Sequence, residues 1–453
     1  MRSLGLQNDL NQDASSKTDG KSIVIGLLDH MGYGNLGDAA VQESVIANIQ
    51  KRLPKARLVG FSLIPEDTTR RHGIPCHPIL RWHPTLQRTG GPSASSIPAK
   101  PTLKSRLKST SIVYLWAKPS LEFMREIGSW VHSYLALRKL DLLIISGGGQ
   151  LSELWRGPWS HPYTIFKFCL LVKIARKKLF FLNVGAGPLK HPLSRFFAKS
   201  AVQWADYRSF RDHDSQQLIR SLGVKSVMHV YPDPAYALDT GDYVRSAPSS
   251  NRTPIVGLNP IGFCAPRFWY REDEALYQKY LDKIARFSTW LLQHGYDLRL
   301  FTNEVSVDLQ AIDDLRSRLL LSVSPDLVSR VFLDPSRDVK DVLEEMSHFD
   351  FVVTSKFHGV IFSQLLRKPV IALSYHRKMD VAMGSIGQSR FCADIERFDA
   401  AWLISAFRLL EEESATIKLA SAAVAEARAA QLSEQFDELF LNYAKRRSDV
   451  MAA

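Results

Sequence analysis

Ser355-Lys356-Phe357-His358-Gly359 places a hydroxyl, a cation and an imidazole within four residues, directly after the apolar run Phe351–Thr354. A buried strand followed by an apolar helix would set these groups at the strand's C-terminal edge. There the amides of the new helix attract an anion. His358 can give or take a proton near neutral pH, or it can simply be a structural histidine. Tyr375-His376-Arg377-Lys378, just after the next strand, adds cations to the same rim, with Lys378 a candidate anion contact. Gly32-Tyr33-Gly34-Asn35-Leu36-Gly37-Asp38 follows the first strand. Its glycines, Gly37 among them, let the backbone approach a ligand beside Asn35, and Asp38 is placed to cap the next helix. A plain tight turn is the alternative. The stretch is neither a dinucleotide fingerprint nor a P-loop, because no Gly-Lys-Ser/Thr follows.

Two further turns lie at strand ends. Gly147-Gly148-Gly149 closes the apolar strand Leu142–Ser146, leaving room for a ligand beside Gly148 and Gly149, or forming a flexible turn. Arg208-Ser209-Phe210-Arg211-Asp212 alternates so that Arg208 and Phe210 point one way and Arg211 the other. Either arginine could clamp a phosphate or carboxylate, or pair at the surface, as Arg211 could with Asp212 or Asp214.

Strands and helices alternate along the chain around these turns. Strands are expected at 22–28, 57–63, 142–146, 179–184 and 207–210, then at 255–259, 297–302, 330–333, 351–354 and 369–373. Helices are expected between them, among them 39–53, 161–177, 191–204, 213–222, 272–294, 306–320, 339–347 and 359–366, and 400–446 reads as mostly helical. The fold class is therefore α/β, with parallel sheets in two Rossmann-like domains facing across a cleft. The expected division is a disordered polar tail at 1–21, a first domain at 22–245 with a loop insertion near 83–110, a second at 253–399, and C-terminal helices and tail at 400–453. In open parallel sheets the ligand lies beyond the C-terminal strand ends, where all four motifs fall.

Composition narrows the function classes. The chain has 453 residues, 45% hydrophobic and 23% charged, enough to bury a large core. Cys76, Cys169, Cys264 and Cys392 are scattered, so neither a zinc site nor a disulfide framework is expected, and isolated thiols fit a reducing cytoplasm. Met1 to Lys21 has no apolar core of the signal-peptide kind. The longest apolar stretch, Tyr163 to Val184, is broken by Lys167, Lys173, Arg176, Lys177 and Lys178, against a membrane-spanning helix. The net charge of +12 favours an anionic partner, but the basic residues are spread out and no nucleic-acid motif is present, so no nucleic acid is expected. The segment 98–110 and the apolar run Ile112–Trp116 suggest peripheral contact with an anionic membrane, against the plainer alternative of a solvated loop and a core element.

The ordered set Gly34 to Asp38, Gly147 to Gly149, Arg208 to Asp212 and Ser355 to Gly359 resembles the polysaccharide pyruvyl transferases, over about residues 22–395. The resemblance implies a fold like that of GT-B glycosyltransferases, with phosphoenolpyruvate bound between two domains as donor substrate and no cofactor or metal. The implied acceptor is a sugar of a polysaccharide or its lipid-linked precursor, modified in the cytoplasm or at the inner face of its membrane. Ser355 and His358 match the family's pattern here, while Lys356 stands where arginine is usual, a point charge instead of a planar fork. Under this resemblance Arg208, Arg211 and Lys356 are the expected anion contacts, with the helix start at Gly359 assisting. His358 is the expected proton donor, and Asp38 or Asp212 the base. Two alternatives remain open: a GT-B glycosyltransferase using a nucleotide-sugar donor, and a non-catalytic member.

Overall fold

The computed structural model describes residues 22–28, 34–79, 112–154, 157–244, 252–266, 269, 271–304, 308–333 and 336–445. The tail at 1–21, the insertion near 83–110 and Gly32 lie outside them.

Two all-parallel sheets organise the chain. The first has seven strands, β1 (Val24–Leu28), β2 (Arg57–Ser62), β3 (Cys76–Pro78), β4 (Leu142–Ser146), β5 (Lys178–Val184), β6 (Tyr207–Phe210) and β7 (His229–Val230), in the order β3-β2-β1-β4-β5-β6-β7. The second has six, β8 (Ile255–Asn259), β9 (Asp297–Leu300), β10 (Val331–Leu333), β11 (Phe351–Thr354), β12 (Val370–Ser374) and β13 (Cys392–Asp394), in the order β10-β9-β8-β11-β12-β13. Each order reverses once, between β1 and β4 and between β8 and β11. Such a reversal opens a crevice at the C-terminal strand ends, because the two following connections leave toward opposite faces.

Helices cover both faces of the first sheet, which is why β4 (Leu-Leu-Ile-Ile-Ser) can be apolar throughout and fully buried. Its alternation divides the core: Leu142 and Ile144 face one cluster, Leu143 and Ile145 another. The first of these clusters continues without a break into the second sheet. It runs through helix α1 (Leu36–Arg52) and the helix Ser414–Phe436. That last helix crosses back from the second half to the first. Gln435 bonds to Asn183 and to the Tyr207 hydroxyl, Arg52 pairs with Asp437 at 2.7 Å, and Tyr443 packs edge-on to Phe180. These contacts fasten the two halves together.

Most strand and helix positions agree with the sequence reading within a few residues. Three short edge strands, β3, β7 and β13, carry too few residues to show a period. The apolar run Ile112–Trp116 opens a long helix, Ile112–Leu137. The helix expected from Gly359 starts at Phe357, so His358 sits inside its first turn. The helix-capping role expected of Asp38 belongs to Asn35, whose Oδ1 accepts from the amides of Gly37 (3.1 Å) and Asp38 (3.2 Å). Asp38 stands three positions further in and instead accepts from the Asn35 side chain at 2.9 Å.

Candidate active site between the sheets

The reversal points of the two sheets face each other, and the loops from both meet. The start of α1 touches the segment after β9: the Leu36 amide donates to the Asn303 carbonyl at 2.7 Å, and Asn35 bridges Glu304. The turn after β4 lies against the same helix start. Gly147 and Gly148 take φ of +48° and +56°, a backbone open mainly to glycine, and a Cβ on Gly148 would lie 3.5 Å from the Asp38 carboxylate. The two glycine-rich motifs therefore form one wall, with Gly149 bordering open space.

His358 enters from the opposite half. Its ring rests on Gly37, where a Cβ would come within 2.0 Å of Nδ1, so only glycine lets the halves approach this closely. The ring is buried, but between the halves and facing the first one: Nε2 is 4.0 Å from the Asp233 carboxylate, with no hydrogen-bond partner. Burial pushes its pKa down to about 4. Asp233 opposes that shift, while Arg211, Lys378 and Lys356 reinforce it. The imidazole is therefore neutral at pH 7.

Arg211 stands just past the end of β6, its guanidinium 4.7 Å over the Phe357 ring, 3.4 Å from Asp233 and 3.6 Å from Asp212. Asp212 is engaged as the N-cap of the helix His213–Ser221. Lys378 comes from the first turn of the helix Arg377–Gly384, whose cap is His376, accepting from the Lys378 amide at 3.2 Å. Its ammonium lies 5.7 Å from the centre of the same Phe357 ring and 5.8 Å from that of Tyr375. Burial, then the Arg211 charge, lowers the Lys378 pKa to about 8, while Asp38 supports its charged form. Among the described residues no carboxylate lies within ion-pair distance of Lys378, so its charge is uncommitted. Asp38 is shifted the other way, up to about 6, by burial, with Lys378 and Arg211 opposing.

Other expected contacts fall elsewhere. Arg208 lies near the start of β6, away from the C-terminal edge. Its guanidinium turns back to the carbonyls of Val202, Gln203 and Ala205, closing the end of the helix Pro192–Trp204, so it is no anion contact of the cleft. Lys356 reaches the site's border but is held by Glu304 and by Asp308 at 3.1 Å. Burial alone would lower its pKa; the two carboxylates overcome this and hold it well above the usual lysine value. Asp308, buried beside Glu304, is pushed up to about 7. Ser355 is buried 3.3 Å from the Tyr280 hydroxyl, inside the second half. Gly359 packs on its own strand, where a Cβ would meet Thr354.

The sequence reading missed Asp233, Glu304 and Asp308. Asp233 had a signal: it sits between Pro232 and Pro234, a turn that aims its carboxylate by capping the short helix after it. Glu304 and Asp308 follow β9 in an unremarkable polar segment. Among the described residues no group of His, Cys, Asp and Glu is arranged to hold a metal ion.

Two parallel, once-reversed sheets with an inter-sheet site define a GT-B-type α/β protein. The polysaccharide pyruvyl transferase family model matches residues 35–377, from the α1 cap to the residue before Lys378, and the chain belongs to that family. Solved structures share the fold at low identity. A putative UDP-N-acetylglucosamine 2-epimerase from Listeria monocytogenes is 11% identical with a TM-score of 0.56, over 93% of this chain and 97% of that one. MnaA of S. aureus, solved with UDP, is 11% identical at 0.53, over the same shares. The UDP-GlcNAc 2-epimerase of Neisseria meningitidis, bound to UDP-GlcNAc, is 11% identical at 0.51, over 88% and 94%. No curated protein matches the chain in sequence.

Proposed function

We propose that this protein transfers the pyruvyl group of phosphoenolpyruvate to two hydroxyls of one sugar, as a cyclic ketal, with release of phosphate. The carrying observation is the meeting of a neutral imidazole and an uncommitted lysine from one half with Asp38 and Arg211 from the other. The donor bears a carboxylate and a phosphate, and Lys378 and Arg211 supply positive charge for both. Lys378 replaces Arg208 in the expected set, and Lys356, already neutralised, positions Glu304 and Asp308.

Donor charge beside His358 raises its pKa, because a nearby anion favours the imidazolium. His358 then gives its proton to carbon 3, which becomes a methyl, as an acceptor hydroxyl adds at carbon 2. Asp38, ionised at pH 7 yet close to it in pKa, takes the hydroxyl proton. The phosphate leaves carbon 2 against Lys378 and Arg211, and the second hydroxyl closes the ketal, its proton departing with phosphate. The acceptor is a sugar of a polysaccharide or its lipid-linked precursor, modified at the cytoplasmic side.

Thermal shift tests the donor: phosphoenolpyruvate should raise the melting temperature and UDP should not. Phosphate release with a panel of galactose, glucose and mannose derivatives tests the transfer. Stabilisation by UDP alone would favour a nucleotide-sugar glycosyltransferase, and stabilisation by phosphoenolpyruvate without phosphate release from any acceptor would favour a non-catalytic binder.

A further inference from the structure

From Met124 on, the helix Ile112–Leu137 turns a row of apolar side chains outward. Its inward side mixes the core residues Ala136 and Leu137 with polar pairs: Glu126 pairs at 3.0 Å with the fully buried Lys167, which also bonds Ser129, and Trp130 bonds Glu126 and the Tyr163 hydroxyl. Its outward side carries Met124, Ile127, Val131 and Leu135, between 43% and 64% exposed. Their spacing of three and four residues makes one stripe. Neighbouring elements extend it with Trp159, 66% exposed, and Phe196, 55% exposed, which belongs to an aromatic cluster with Phe166 and Phe197. An exposed apolar surface of this kind marks a contact surface.

The charges around it choose the occupant. Residues 124–206, which build this layer, hold 12 Lys and Arg but 4 Asp and Glu, so they carry eight of the chain's +12. The four acids are all engaged: Glu126 by Lys167, Asp206 by Lys173 and Lys178, Glu153 by the Lys190 and His191 amides, and Asp141 by the Val24 amide. Arg125, Arg138, Lys139, Arg176 and Arg195 of the same layer are exposed. A second copy docking by two-fold symmetry would bring this basic rim against itself. An anionic bilayer accepts both parts, apolar side chains below the headgroups and cations among them. No helix among the described residues is long and apolar enough to cross a membrane, so the face would lie on the surface.

We infer that the face formed by Met124, Ile127, Val131, Leu135, Trp159 and Phe196 docks this protein onto an anionic lipid surface. The loop that leaves the site at Gly147 arrives at Trp159, so docking places the cleft's glycine wall within one loop of the membrane. The inference stands on this face and not on the donor's identity.

The full chain is sedimented with phosphatidylcholine vesicles, with and without phosphatidylglycerol, at low and high salt. Binding is expected with phosphatidylglycerol at low salt, weakened by salt, and roughly tenfold or more weaker for Ile127→Asp/Val131→Asp, whose exposed positions leave the melting temperature unchanged. The tryptophan fluorescence shift on binding should shrink in Trp159→Phe. If the double variant fails to fold, Met124→Asp replaces it, losing apolar contact and adding a charge the anionic surface repels, with the same expected loss. Absence of binding at low salt, or undiminished binding by the variants, overturns the inference. So does a wild-type dimer that the same substitutions dissociate, since the face would then be a self-interface.

Discussion

At the scale of single residues, the site's chemistry depends on pKa values moved in opposite directions by one cause. Burial disfavours charge, so it lowers His358 and Lys378 and raises Asp38. The result is a neutral ring, a cation close to its titration point and a carboxyl near neutral. His358→Ala should reduce phosphate release at least about a hundredfold without unfolding the protein, in line with general acid–base contributions; near wild-type turnover by a folded variant would remove the ring from the reaction. Lys378→Ala should weaken phosphoenolpyruvate binding roughly ten- to a hundredfold, the loss of one charge-assisted contact, read by titration calorimetry. Lys356→Arg should bind the donor as wild type does, because that charge already serves Glu304 and Asp308; a collapse of affinity in it would make Lys356 a direct contact.

At the scale of elements, the close approach of α1 to the helix carrying His358 depends on Gly37. Gly37→Ala puts a methyl where the His358 ring lies, so it should cost about 1–3 kcal/mol of stability from overpacking and most of the activity. Urea denaturation and phosphate release check the two effects, and a stable, active Gly37→Ala would mean the ring has freedom to move aside. The helix Ser414–Phe436 works from the other side of the fold. Gln435 completes a buried network with Asn183, Ser209 and Tyr207, behind the strands that present Arg211. Gln435→Ala should lower stability by about 1–3 kcal/mol, the cost of leaving buried polar groups unpaired.

Across the whole molecule, the junction between halves contains a titrating acid. Glu43 on α1 is pushed up to about 7 by burial and then by Asp338 of the second half, with Arg71 opposing. A carboxyl whose folded pKa exceeds its unfolded value keeps a proton that the unfolded chain has released. Its contribution is therefore present at low pH and lost as pH rises from about 4.5 through 7. Glu43→Gln should stabilise the protein relative to wild type by about 1 kcal/mol at pH 8, after allowing for screening of a partly exposed group, and by nothing at pH 4.5. Melting temperatures of the two proteins across that range decide it; a constant difference would exclude Glu43 as the source.

The sequence by itself determined the alternation of strands and helices, the parallel sheets, and the positions of the four turn motifs. Those follow from local rules, in which apolar period and glycine placement act within a few residues. It also pointed to His358, Asp38 and Arg211, because each lies next to a strand's C-terminal end. Only the tertiary structure decided which charges are already spent. Arg208 and Lys356 look as available as Lys378 in the sequence, yet the first closes a helix end and the second meets two acids from a segment about 50 residues away in the chain. The exposed stripe of the helix Ile112–Leu137 was equally invisible, since Met124, Ile127, Val131 and Leu135 read as a core face until the fold leaves them outward. Pairing partners and exposure are set by contacts between distant segments, and no periodicity encodes them.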